Sequence, residues 1–220
     1  MNSLFTVGIL VLSLTASGQA LYCTVCSGSS PNNCFGSSTE KCSSSKHVCL
    51  SIYETTLSGT GASTSTFVRK CEQKSLCGKS GVFNYYEGKA RFSTSCCDTN
   101  YCTPYEPNLP AYSYVSNGKT CPYCVSFSST DCKGSYNMMC MGDEYKCVHQ
   151  TTEISGTLTQ KTAVRGCGSN SYCDLGTITS EYAGLKTKVK FKCSNGVAVN
   201  GYSALTLLMM VAASLIQSFF

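Results

Sequence analysis

Residues 96–102 read CCDTNYC, three cysteines in seven positions, while the corresponding end of the second half, FKCSNG at 191–196, holds one. The contrast matters because the cysteines otherwise repeat. The first ten are Cys23, Cys26, Cys34, Cys42, Cys49, Cys71, Cys77, Cys96, Cys97 and Cys102. The other eight are Cys121, Cys124, Cys132, Cys140, Cys147, Cys167, Cys173 and Cys193. Steps between neighbours run 3, 8, 8, 7, 22, 6 and 19 in the first set, and 3, 8, 8, 7, 20, 6 and 20 in the second. Local sequence agrees, since FVRKCEQKSLC at 67–77 matches AVRGCGSNSYC at 163–173. The chain is an internal duplication. Two questions follow: what the extra pair in CCDTNYC does, and what replaces it in the copy.

Cysteine supplies 18 of 220 residues, about 8 %, the level of a secreted disulfide scaffold. The even number fits complete pairing but leaves the connectivity open. Net charge is +5 with 13 % charged residues. That balance, without a long basic run or a phosphate-binding glycine loop, points away from nucleic acid and nucleotides. No Asn-x-Ser/Thr occurs, so no N-linked glycan is expected.

Residues 103–120, TPYEPNLPAYSYVSNGKT, carry three of the five prolines and no cysteine. Proline favours an extended, semi-rigid connector. The expected organisation is a signal peptide at 1–20, a first domain at 21–103, a Pro/Tyr-rich linker at 104–118, a second domain at 119–194, and a removed tail at 195–220. The connector is expected to hold the first domain away from the second. Domains this small bury limited apolar surface, and each disulfide adds about 2–4 kcal/mol by restricting the unfolded chain. Within each copy, β-branched runs flank glycine-bearing turns: 47–56 with 63–72, and 146–154 with 158–167. Further strands are expected in 82–97 and 182–193, and no helix outside the two ends.

Residues 1–20 hold an apolar stretch from Leu4 to Leu14, then Gly18 and Ala20, as in a secretory signal cleaved between Ala20 and Leu21. A membrane anchor is the competing reading, and the apolar core is short for it. At the other end, Ala204 to Phe220 is apolar and uncharged, preceded by the small residues Ser194, Asn195 and Gly196 and the spacer VAVNGYS. This order matches a glycosylphosphatidylinositol signal, with Ser194 or Asn195 as the attachment residue. A short single-pass anchor and an unprocessed tail compete with it.

The set C-x2-C, three spaced cysteines, C-x5-C and CC-x4-C resembles the three-finger superfamily of lymphocyte antigen 6 and the urokinase receptor. The resemblance implies a small all-β, disulfide-rich fold: two tandem three-finger, snake-toxin-like domains. It implies pairing of Cys23–Cys49, Cys26–Cys34, Cys42–Cys71, Cys77–Cys96 and Cys97–Cys102 in the first domain. In the second it implies Cys121–Cys147, Cys124–Cys132, Cys140–Cys167 and Cys173–Cys193. Thr103 departs from the family's usual ending, where Asn follows the last cysteine. The ten-cysteine domain, proline-rich connector, NGKTCPYC and eight-cysteine domain together resemble the gamma-type phospholipase A2 inhibitors. That resemblance implies a non-enzymatic extracellular binding protein without cofactor, whose partner is an extracellular protein such as a secreted phospholipase A2. The apolar tail instead favours a lipid-anchored cell-surface receptor or adhesion protein of the urokinase-receptor type.

The two C-x2-C pairs have the spacing of zinc knuckles or redox pairs, but secretion favours structural disulfides. His47 and His149 lack the companions that a nucleophile or metal set requires, and read as strand or surface residues. In KTKVKFK, Lys186 to Lys192, four lysines fall on one side at strand period. The plain reading is a solvated or edge-protecting sheet face; the sharper one is contact with lipid headgroups, sulfated glycan or an acidic partner. VFNYYEG and YEPNLPAYSYV are tyrosine-rich, which suits either packing or a binding surface.

Overall fold

In this computed structural model, residues 20–198 are described, apart from residues 87 and 183. The expected signal segment before Ala20 and the apolar tail lie outside them. The first half forms β1 (Tyr22–Gly28), β2 (Cys34–Lys41), β3 (His47–Ser58), β4 (Ser63–Gln73), β5 (Ser80–Tyr85) and β6 (Gly88–Cys97). The second forms β7 (Ser116–Ser126), β8 (Tyr136–Met141), β9 (Lys146–Ser155), β10 (Gln160–Gly168), α1 (Asn170–Asp174), β11 (Thr177–Tyr182), β12 (Leu185–Asn195) and β13 (Val197–Ala198). Consecutive strands pair antiparallel as three hairpins in each half: β1–β2, β3–β4 and β5–β6, then β7–β8, β9–β10 and β11–β12. These are two three-finger units, mostly β and disulfide-rich.

Each hairpin base is stapled. The bridges are Cys23–Cys49, Cys26–Cys34, Cys42–Cys71, Cys77–Cys96 and Cys97–Cys102, then Cys121–Cys147, Cys124–Cys132, Cys140–Cys167 and Cys173–Cys193. None joins the halves. Two bridges lie side by side in each copy, with Sγ atoms of Cys23 and Cys42 3.4 Å apart and those of Cys121 and Cys140 3.5 Å apart. Sulfur therefore forms much of each unit's own core.

The extra pair in CCDTNYC makes a clasp. Cys97–Cys102 closes a small loop in which Tyr101 turns back at φ 61°. The Tyr101 amide donates to the Tyr22 carbonyl at 2.8 Å, its ring stacks on Tyr22, and Asn100 Oδ1 accepts from the Tyr22 amide at 3.0 Å. The loop thus pins the start of β1. In the copy, β13 does this work by backbone pairing: Val197 and Ala198 lie opposite Thr120 and Lys119 at the start of β7.

The connector is not a spacer. Pro104 and Pro107 are buried, Ser95 Oγ donates to the Tyr105 carbonyl, and Arg91 Nη1 donates to the Pro110 carbonyl at 3.0 Å. Tyr112 covers the Arg91 guanidinium at 4.7 Å and Tyr114 covers the Lys89 ammonium at 4.2 Å. These contacts hold the segment along β6, and β7 begins at Ser116, inside the expected linker.

What joins the halves is one continuous sheet in the order β11-β12-β9-β10-β5-β6-β3-β4-β1-β2. At the junction Gly166, Cys167 and Gly168 lie opposite Tyr85, Asn84 and Phe83. Val82 extends the link, accepting from the Ser169 amide at 2.9 Å and donating to Ser169 Oγ at 3.2 Å. A Cβ on Gly166 would lie 2.1 Å from the Asn84 carbonyl oxygen, so only glycine permits this approach. In the first copy the matching positions are Lys70 and Glu72, which pair with each other at 2.7 Å. Behind the junction, Phe83, Ala90 and Phe92 share a core with Val148 and Tyr172. Burying rings such as Phe83 and Phe92 contributes about 1.5–3 kcal/mol each. The short α1, absent from the sequence expectation, carries Tyr172 into that core.

Replacing Gly166 with lysine, the residue of the first copy, should open the junction at a cost of about 1–3 kcal/mol or more from overpacking. Amide exchange should rise at Phe83–Tyr85 while each unit keeps its own disulfide-stapled protection. Unchanged protection of β5 would show that the junction does not depend on this glycine.

Candidate binding groove across the seam

Residues of both halves line a concave surface above the β5–β10 junction. One stretch, about 320 Å³, has an apolar lining: Ile52 and Phe92 on one side, with Leu175, Ile178, Val189 and Phe191 on the other. A second stretch of about 290 Å³ runs past Phe83, Tyr85, Val125, Phe127 and Val164. Both touch Glu54 and Gln150, so the two make one groove spanning both halves. Period-two alternation builds its far wall: Val189 and Phe191 turn inward while their lysine neighbours on β12 face out.

The polar side chains lining the groove are Glu54, Lys70 and Gln150, with hydroxyls of Thr56, Ser58, Thr66 and Thr94 between them. The Tyr172 side chain is 2 % exposed, its ring meets Phe92 edge-on at 4.9 Å, and its hydroxyl has no hydrogen-bond partner. Burial, with the Glu54 carboxylate as a secondary cause, holds that hydroxyl protonated well above the ordinary tyrosine range. Glu54 keeps contact with solvent, yet protein surrounds it on most sides and pushes its pKa up. Among the described residues no histidine lines the groove. The arrangement suits burial of apolar side chains of a partner, with Glu54 and Gln150 orienting it.

An aromatic ladder crosses the same seam. Tyr86, at the turn between β5 and β6, stacks on Tyr123 of β7 at 4.8 Å, and Tyr123 lies 6.2 Å from Tyr136 of β8. Tyr86 and Tyr136 are about 70 % exposed, so the ladder lies on the surface rather than in the core. The tyrosine-rich segments therefore divide. Tyr85 packs against the shared core and Tyr112 packs over Arg91, while Tyr86 is displayed.

The other sequence candidates fall elsewhere. Both C-x2-C pairs are spent in bridges to four different partners. His47 lies 3.5 Å from Ser43 Oγ at the base of the first unit. His149 sits on the outer face beside Arg165 and Lys192. Ser194 and Asn195 are exposed at the end of β12 but still paired with Cys147 and Lys146 of β9. Sequence reasoning missed Glu54, Gln150 and Tyr172. The one available signal was the Gly166/Lys70 contrast, which marks where the copies join.

The u-PAR/Ly-6 domain model matches residues 19–104, and the phospholipase A2 inhibitor model matches residues 119–200. The chain thus joins a u-PAR/Ly-6 domain to a second domain of the phospholipase A2 inhibitor type, in a two-domain layout. Over 167 residues it is 24 % identical to phospholipase A2 inhibitor NAI of Notechis ater, covering 73 % of this chain and 80 % of that protein. Among solved structures it is similar to mouse TEX101, at 16 % identity and a TM-score of 0.32, covering 79 % of this chain and 99 % of that one.

A buried carboxyl reports on the seam. Glu144, 4 % exposed, accepts from the Met141 amide at 2.9 Å and feels Lys89 and the Asn84 side chain from the other half. Burial outweighs these partners and raises its pKa from 4.5 to about 7. Between those values the folded state holds a proton that the unfolded chain has released. This contribution to stability is full below pH 4.5 and is lost as pH rises through about 7. The thermal midpoint should therefore fall between pH 5 and pH 7.5, and Glu144→Gln should flatten the decline. An equal decline in the variant would assign the slope to other groups.

Proposed function

We propose that this chain is a non-catalytic extracellular binding protein whose seam groove receives a folded protein partner, and that the partner is a secreted phospholipase A2. The observation that carries this reading is the apolar groove built jointly by both units, in a chain whose second unit matches the inhibitor model and whose alignment with an inhibitor runs through most of both. Both units are then needed for binding, and the junction is what aligns them. Binding of residues 21–195 to a panel of secreted phospholipases A2 tests it, alongside their hydrolysis of phosphatidylcholine vesicles. Saturable binding that slows hydrolysis is expected, with affinity reduced at least tenfold by Ile178→Glu in the groove wall. Binding to no member of the panel would remove this partner and leave the receptor or adhesion reading.

That second reading has its own support in the apolar tail and in the exposure of Ser194 and Asn195. We propose that the chain is secreted after cleavage between Ala20 and Leu21 and carries a glycosylphosphatidylinositol anchor at Ser194 or Asn195. Attachment there would remove β13 and leave Thr120 and Lys119 of β7 without that backbone pairing. Phosphatidylinositol-specific phospholipase C should release the protein from intact cells. Resistance, with Phe220 present in the mature chain, would exclude the lipid anchor.

A further inference from the structure

The register of β12 sets four cations in a row on the side away from the groove. Lys186, Lys188, Lys190 and Lys192 are all exposed, and lie opposite Ser155, Glu153, Thr151 and His149 of β9. On the next strand Lys161 and Arg165 of β10 lie opposite Glu153 and His149. The row spans seven residues of strand, six rises or about 20 Å at about 3.3 Å per residue. Glu153 meets two lysines, one on each side, and Glu181 lies opposite Lys186 at the far end. The three ion pairs found among the described residues use none of these cations.

One end of the row is shaped. Arg165, His149 and Lys192 stand in line across three strands beside a recess of about 420 Å³, closed by Pro122, Thr130 and Asp131. His149 Nε2 and Arg165 Nε have no hydrogen-bond partner there. Burial first, then Arg165 and Lys192, depress the His149 pKa against the smaller opposing effects of Asp131 and the Thr130 carbonyl. The local field is thus positive in spite of Asp131, and it favours an anionic group.

We infer that this outer face binds a linear sulfated polysaccharide, with one sulfate seated at Arg165, His149 and Lys192 and others along the lysine row. Geometry separates this ligand from a membrane. The cations form a straight line with Thr151, Thr177 and Thr179 between them on the sheet, and the apolar residues of β12 point to the opposite side. Insertion into a membrane is driven by apolar groups among the cations, which this face lacks, so a lipid surface would be held by charge alone. A linear polyanion needs only the repeating charge, and its ligation releases condensed counterions, so binding is steeply salt-dependent. The face is separate from the groove, and one partner can occupy each.

The full ectodomain should bind immobilised heparin and elute with rising sodium chloride. The double variant Lys188→Glu/Lys190→Glu, with both changes on exposed side chains, should lose at least tenfold in affinity and elute at lower salt. Lys41→Glu, on the first unit, should elute with the parent. Three results would overturn the proposal. One is equal retention of the double variant, which marks general cation exchange. Another is equal binding to unsulfated hyaluronan. The third is binding to phosphatidylserine vesicles without binding to heparin, which would assign the face to a lipid surface.

Discussion

The edge-to-edge pairing of β5 with β10 is the constraint on which the rest depends. Three-finger units have open sheet edges, and an open edge pairs with whatever backbone can approach it. In the first unit, β4 beyond its pairing with β1 carries Lys70 and Glu72, whose side chains form an ion pair beside the groove. In the second unit, β10 beyond its pairing with β7 carries Gly166 and Gly168, and β5 closes on it. The shared core of Phe83, Phe92, Val148 and Tyr172, and the groove above it, draw on both halves because that approach brings them together.

The disulfides have a different role. They act within each unit and set its hairpin bases, and the paired bridges Cys23–Cys49 with Cys42–Cys71 recur as Cys121–Cys147 with Cys140–Cys167. Loss of the last pair in the copy is met by chemistry of another kind. A covalent loop holds β1, while hydrogen-bonded β13 holds β7. The covalent clasp survives any change beyond Cys102; the hydrogen-bonded one exists only while Val197 and Ala198 remain attached. Processing at Ser194 or Asn195 would therefore loosen the start of the second unit and leave the first intact.

β12 shows how little sequence is needed to make two surfaces. A single alternating run, KTKVKFK, gives Val189 and Phe191 to the groove and four lysines to the outer face. The apolar set is useful only because the first unit stands opposite it. The lysine set needs nothing from the first unit.

Several features were legible in the residues alone. Cysteine steps revealed the duplication, β-branched runs between glycine turns located the hairpins, and the period of KTKVKFK put its lysines on one side. These signals are local or covalent, so their meaning survives without knowing what lies across space. The resemblance to three-finger proteins named the fold. The tertiary structure alone decided that prolines 104 and 107 are buried rather than strung out, that Tyr172 is core, and that Glu54 and Glu144 sit in surroundings that raise their pKa values. Each depends on backbones distant in sequence coming within van der Waals reach. Sequence records such an approach only through what is missing, here the Cβ of Gly166. An absent side chain marks a site of contact without saying which strand will fill it.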